Sequence, residues 1–246
     1  MIDDTMDFER QCNNEIQLMK KDLKLRKESL NYLNKVENYK YSYHFKWMGL
    51  PIIQYPQDII AMQELIYLIK PDFIIETGVA RGGSLIFYSS MLELLGGGKV
   101  LGVDIDIREH NRKKIENHQM NKNIILIEGS STDENVIKQI DTIISENNLQ
   151  KGLVVLDSLH THKHVLEELR LYCKYVKKGS YLIAFDTIIE HFSEDNITNR
   201  PWSRGNSPKT AVYEFLKENE RFIIDEEIES KLLLTVCPSG YLKCIK

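Results

Sequence analysis

Residues 73–84 read FIIETGVARGGS. A β-branched, apolar run ends in an acid and a threonine, and three glycines and a serine occupy the next seven places. Glycine lets a backbone turn through positive φ and lets a ligand come close to main-chain atoms. The run therefore predicts a buried strand that ends in a tight binding loop, with Gly78 in the first turn and Gly82 and Gly83 opening a helix. The spacing is G-x-x-x-G-G, which differs from the G-x-G-x-x-G dinucleotide fingerprint, and no G-K-[ST] follows, so a P-loop is excluded. Glu76 at the loop entrance repels a pyrophosphate and suits a ligand with a positive charge.

Working outward, further apolar runs at 100–104, 124–128, 153–157 and 181–186 alternate with amphipathic stretches at 83–95, 108–117, 133–147 and 162–176. Near-continuous apolar strands separated by helices imply a parallel sheet covered on both faces. A helix at 208–219 precedes two more expected strands, 221–227 and 231–237, and CPSGYLKCI supplies a turn and a last extended piece. The expected fold is α/β and Rossmann-like, with a mostly parallel seven-stranded sheet and an antiparallel C-terminal edge. Residues 6–40 contain neither Gly nor Pro and read as helical, with Ile16, Met19, Leu23, Leu30 and Leu33 in a broken apolar stripe. That stripe suits packing on the main domain or contact with a partner subunit. Residues 43–58 are aromatic and punctuated by proline, which predicts a surface-crossing loop; Asp58 is expected to cap a helix running through Ile69, ended by Pro71. The expected division is a helical extension and loop at 1–57 and a main domain at 58–246.

The 246 residues are 42% hydrophobic and 28% charged, with a net charge of −4. This balance gives no support for nucleic acid or anionic membrane as partner. No apolar run approaches the roughly 20 residues a membrane span needs, and the acidic start, MIDDTMDFERQ, is not a signal peptide. Cys12, Cys173, Cys237 and Cys244 form no C-x-x-C and read as reduced thiols of a cytoplasmic protein, the alternative being a Cys237–Cys244 pair across the turn they flank.

Each of the five central runs ends in an acid: Glu76, Asp104, Glu128, Asp157 and Asp186. Ligands of open α/β sheets bind beyond the carboxyl ends of the strands. Acids there also serve as caps of the following helices, but the repetition along one rim favours a site. The ammonium of S-adenosylmethionine (SAM) suits Glu76, and its carboxylate suits the helix N-terminus and the Ser84 hydroxyl. Asp104 stands where a carboxylate accepts both ribose hydroxyls, and Ser130 and Ser131 stand where the adenine edge would lie. The candidate donor-binding set is Glu76, Thr77, Gly78, Ala80, Gly82, Ser84, Asp104, Ser130, Ser131 and Asp157.

The fourth run continues as LDSLHTHKH and the fifth as FDTIIEH. Neighbouring strand ends lie about 5 Å apart, so Asp157 and Asp186 either share a proton or share a divalent cation such as Mg²⁺. Thr187 is a candidate hydroxyl ligand or water-orienting group. His160, His162 and His164 alternate along the chain, which spreads their side chains rather than gathering them on zinc. His160 is the first candidate for the base that takes a substrate hydroxyl proton, or else an orienting residue of the next helix; His191 is a second candidate base.

The segments IIETGVARGGSLIFYSSML, LGVDIDIR, IEGSSTD, LDSLHTHKHVLEEL, FDTIIE and RPWSRGNSPKTAVYEFL together resemble the cephalosporin hydroxylase family. Despite its name, that is a family of SAM-dependent, Mg²⁺-linked methyltransferases that includes rhamnosyl O-methyltransferase-type enzymes. The resemblance runs from about residue 40 to the C-terminus. It implies the SAM-dependent methyltransferase fold, SAM and Mg²⁺ as cofactors, and O-methylation of a sugar or natural-product hydroxyl. It also implies a homo-oligomer, which the N-terminal helix favours too. More distantly the chain is similar to catechol O-methyltransferase, whose metal acids match Asp157 and Asp186. An Asn there is Thr187 here, and the catalytic lysine position holds His160. Some relatives carry adjacent acids at the end of the fifth strand, where this chain has Phe185 before Asp186; Glu190 is the candidate replacement. Residues 195–212 resemble the family's loop over the active site, with Trp202 as a stacking face and Arg204 and Lys209 as donors to the acceptor. Two rival readings are a hydroxylase, for which no His-x-Asp…His iron triad is present, and a noncatalytic SAM-binding partner subunit.

Overall fold

The computed structural model describes residues 4–246; Met1–Asp3 of the expected extension lie outside it. Two helices open the chain, α1 (Thr5–Lys21) and α2 (Leu23–Glu37). The expected single helical stretch is divided at Asp22, whose carboxylate leaves the helical path and accepts the Leu25 N–H. A small hairpin follows, β1 (Lys46–Trp47) with β2 (Leu50–Pro51), and then α3 (Pro56–Ile69).

The main domain continues as β3 (Phe73–Thr77), α4 (Gly83–Leu94), β4 (Lys99–Asp104), α5 (Glu109–Glu116), β5 (Ile124–Glu128), α6 (Glu134–Glu146), β6 (Gly152–Leu156), α7 (His162–Tyr172) and β7 (Tyr181–Ala184). A short α8 (Glu194–Ile197), then α9 (Pro208–Glu218), β8 (Phe222–Ile224), α10 (Glu226–Leu232) and β9 (Tyr241–Cys244) complete it. The sheet order is β5-β4-β3-β6-β7-β9-β8, with β9 antiparallel to both of its neighbours and the other pairs parallel. One core packs α3 and α4 against one face of the sheet, and a second packs α6, α7 and α9 against the other. This is the expected α/β fold. The chain reverses its strand order between β3 and β6, which is where open sheets of this type hold ligands.

The expected strand at 231–237 is corrected. Asp225 caps α10 by accepting the Glu227 N–H, and Glu226, Glu227 and Glu229 crowd its first turn, where a helix N-terminus favours acids. The segment Leu233–Val236 after it is coil, partly buried at its leucines and buried at Thr235 and Val236, and the antiparallel strand is Tyr241–Cys244. Asp58 is also corrected. Helix α3 begins at Pro56, and the fully buried Asp58 carboxylate accepts from the Thr235 hydroxyl, the Val236 N–H and the Tyr241 hydroxyl. It ties α3 to the C-terminal coil instead of capping a helix. The N-terminal arm is latched to α10 by ion pairs of Lys20 with Glu226 and of Arg26 with Glu229. All four cysteines are free thiols. Among the described residues no helix is long and apolar enough to cross a membrane.

Candidate active site

A cavity of about 560 Å³ opens over the carboxyl ends of β3, β4, β6 and β7. Its donor side is the loop between β3 and α4. Gly78 has φ +93°, and a Cβ there would stand 2.1 Å from the Asp157 carbonyl oxygen, so only glycine lets this loop lie against the end of β6. A Cβ on Gly83 would stand 2.2 Å from the Pro51 carbonyl, which fixes the start of α4 against the N-terminal hairpin. Asp104 closes the loop from the next strand: one carboxylate oxygen accepts the Val79 N–H (2.8 Å) and the Ala80 N–H (3.3 Å). The other accepts the Asp106 N–H at 3.1 Å. Gly78, Ala80, Gly82, Ser84, Asp104, Ser130 and Ser131 all line the cavity.

The floor carries the second constellation. Asp157, His160 and Asp186 present ligand atoms that all lie within 4.8 Å of one another. His160 Nε2 is 3.1 Å from Asp186 Oδ2. Asp186 sits at φ +56°, a conformation asparagine and aspartate enter more readily than other side-chain-bearing residues. Asp157 Oδ2 accepts from Gln54 Nε2 at 3.2 Å. Burial first, and then the Asp186 charge, hold the Asp157 carboxyl well above the usual carboxylate range. A cation at this cluster would relieve that repulsion, so the donor set fits one. Over the cluster, Trp202 meets the His160 ring edge-on at 4.7 Å between centroids, and the Arg200 guanidinium lies 5.3 Å from the indole centre.

Several expected site residues lie elsewhere. Glu76 and Thr77 are fully buried beneath the loop and outside the cavity wall. Glu76 accepts the Ser84 hydroxyl at 2.6 Å and lies against Tyr88; burial pushes its carboxyl up to about 8. Thr187 is fully buried, with its methyl group beside Gly240 and its hydroxyl without a hydrogen-bond partner, and it is not part of the cavity wall. His191 turns away from the cavity and accepts from Lys209 Nζ at 2.7 Å. Burial, with the lysine beside it, lowers that imidazole to about 4. Lys209 is thereby withdrawn from the acceptor side, and Arg204 donates to the Phe192 carbonyl at 2.9 Å. Glu190 accepts from Gly205 N–H and the Ser207 hydroxyl, so it anchors the loop and supplies no ligand to the cluster. His162 contacts Thr210 and Glu214, while His164 contacts Ser131, Ser158 and Glu168; the three histidines do diverge.

Residues that the sequence did not single out complete the wall, from the regions expected to shape it: Glu37 and Ser42 of the N-terminal arm, Tyr43 and Gln54 of the 43–58 loop segment, and Arg200, which takes the place expected for Arg204. Nothing local distinguishes Glu37; the anchoring of α2 through Arg26 and Asn34 brings it there.

Residues 39–245 match the rhamnosyl O-methyltransferase/CmcI family. The chain belongs to this family. A rhamnosyl O-methyltransferase of Mycobacterium tuberculosis (strain H37Rv) is 28% identical over 203 residues, covering 80% of this chain and 76% of the relative. That of Mycobacterium leprae (strain TN) is 31% identical over 142 residues, covering 57% of this chain and 59% of the relative. Among solved structures, CmcI with Mg and SAM superposes with a TM-score of 0.57 at 18% identity over 83% of this chain and 78% of that chain. An O-methyltransferase from Bacillus cereus in complex with SAH gives 0.53 at 18% identity over 89% of this chain and 91% of that chain. At these identities the two structures speak to the fold, and they agree with the sheet described above. The matched span begins at residue 39, so α1 and α2 both lie outside it.

Proposed function

We propose that the protein is a SAM-dependent O-methyltransferase that acts on a hydroxyl of a sugar or polyhydroxylated metabolite with the help of a divalent cation. The observation that carries this reading is that the glycine loop and the Asp157–His160–Asp186 cluster share one cavity. Family membership and the relatives' names support the sugar acceptor. When bound, SAM supplies an already activated methyl group and a divalent cation such as Mg²⁺ lowers the pKa of the acceptor hydroxyl.

The chain's residues divide the remaining work. Gly78 lets the loop lie against the end of β6 and Gly82 lets it lie against Ile115, so that the loop's main chain borders the donor, and Ser84, whose hydroxyl donates to Glu76, stands in the first turn of α4 near the donor's amino-acid end. Asp104 receives the ribose hydroxyls, and Ser130 and Ser131 border the adenine. Asp157 and Asp186 hold the cation, because hard cations prefer carboxylate oxygen to imidazole nitrogen. His160 is then left to accept the acceptor's proton, its ring set between Asp186 and Trp202. Holding the acceptor oxygen in line with the methyl carbon supplies the rest of the acceleration. Trp202 and Arg200 form the outer face over the acceptor.

Asp104→Ala is expected to weaken SAM or SAH binding by about 1.5–3 kcal/mol, the range for hydrogen bonds to a charged group. Isothermal titration of the variant measures it, and unchanged affinity would remove Asp104 from the donor site. The function itself is tested by incubating the protein with SAM, Mg²⁺ and a panel of glycosides and measuring S-adenosylhomocysteine. A protein that binds SAM and releases no product with any hydroxylated acceptor would instead be a noncatalytic SAM-binding subunit.

A further inference from the structure

Glu37 is the last residue of α2 and lines the cavity beside Ser42 and Tyr43. Its half-buried carboxylate makes no hydrogen bond or ion pair with a described residue. The charges that bear on it are Asp186 at the sheet edge, Arg200 from the loop, and Lys40 on its own arm. It therefore faces the reaction centre from the acceptor side. Its position is also fixed. Asn34, one turn earlier, donates to the His191 carbonyl at 3.1 Å and accepts the Ser193 N–H at 2.8 Å. Asn196 donates back to the Asn34 carbonyl at 2.9 Å. The end of α2 and the loop carrying Arg200 and Trp202 thus form one unit.

A carboxylate held partly out of water with no partner is costly until a ligand supplies donors. Paired with an aromatic face, it suits a polyol ring, which offers hydroxyl donors at its edge and C–H groups on its face. We propose that Glu37 is the acceptor-specificity residue, receiving a hydroxyl of the acceptor adjacent to the one that is methylated. This rests on the O-methyltransferase reading. Because Glu37 precedes residue 39, acceptor choice would lie in a part of the chain that the family match does not include.

The test uses the full chain with methyl α-rhamnopyranoside, its monodeoxy analogues and a small panel of other methyl glycosides. Glu37→Ala should raise the KM for the preferred glycoside about tenfold to a hundredfold, the equivalent of one charged hydrogen bond. The kcat, SAH affinity and melting temperature should change little. Glu37→Gln, which keeps an acceptor oxygen, should recover part of the loss. One deoxy analogue should cost the wild type a similar factor and cost Glu37→Ala nothing further, because residue and hydroxyl are partners in one contact. An unchanged KM, or equal penalties for every deoxy sugar in both proteins, overturns the assignment while leaving the methyltransferase reading intact. A wild type that binds SAH but methylates none of the panel overturns both.

Discussion

Asp157→Ala is expected to lower methyl transfer by about three orders of magnitude, because a cation's contribution to such a step is several kcal/mol and each 1.36 kcal/mol is tenfold. The same variant should lose saturable Mn²⁺ binding in a calorimetric titration while SAH affinity changes by less than about tenfold. The reason is geometric. Asp157 sits between two systems: its carbonyl backs the glycine loop through Gly78, while its carboxylate joins His160 and Asp186. Alanine keeps the backbone seam and removes only the carboxylate. If Mn²⁺ still saturates the variant, the cation lies elsewhere; if SAH binding collapses instead, the carboxylate belongs to the donor side.

Glu76→Gln is expected to stabilise the ligand-free protein, and to do so more strongly as pH rises. The Glu76 carboxyl is fully buried, has one oxygen without a partner and is pushed from an ordinary 4.5 up to about 8, by burial above all. Its folded-state pKa is raised, so the folded protein keeps a proton that the unfolded chain releases. Stability from this group is full below about pH 4.5 and is lost as pH climbs towards 8. At 1.36 kcal/mol per pH unit, that window bounds the loss at about 5 kcal/mol. Glutamine keeps an oxygen for Ser84 and does not titrate, so the gap between variant and wild type should be small at pH 5 and widen to several kcal/mol at pH 8. Urea unfolding of both proteins at the two pH values measures it. A gap that does not change with pH would mean that Glu76 is ionised in the folded state.

The parallel sheet was legible in the sequence because its strands are buried on both faces and read as short apolar runs, each closed by an acid. The LLLTV segment has the same composition but closes α10 and continues as partly buried coil, with Val236 hydrogen-bonded to Asp58 rather than to a strand. Composition reports burial there, not pairing. In the site, Asp104, Asp157, His160 and Asp186 could be found because strand ends place them on a common rim. Glu76 could not be resolved so well: the last residues of a strand alternate between faces, and one position decides whether a carboxylate looks into the cavity or under it. His191, Arg204 and Lys209 are near the rim in sequence, yet the 3₁₀ turn at Thr187–His191 and the loop after it turn them into their own hydrogen-bond network. Glu37 and Gln54 reach the cavity only through tertiary packing of the arm, for which no local pattern exists.

The contact of Gly83 with the Pro51 carbonyl has a consequence for engineering. The first turn of α4 belongs to the methyl-donor half of the cleft, and the strand containing Pro51 leads into the half that meets the acceptor. With a hydrogen atom as the only spacer between them, neither half can be shifted without displacing the other. Attempts to redirect this protein to bulkier acceptors should therefore work from the outer rim, at Tyr43 and Arg200, and leave that seam untouched.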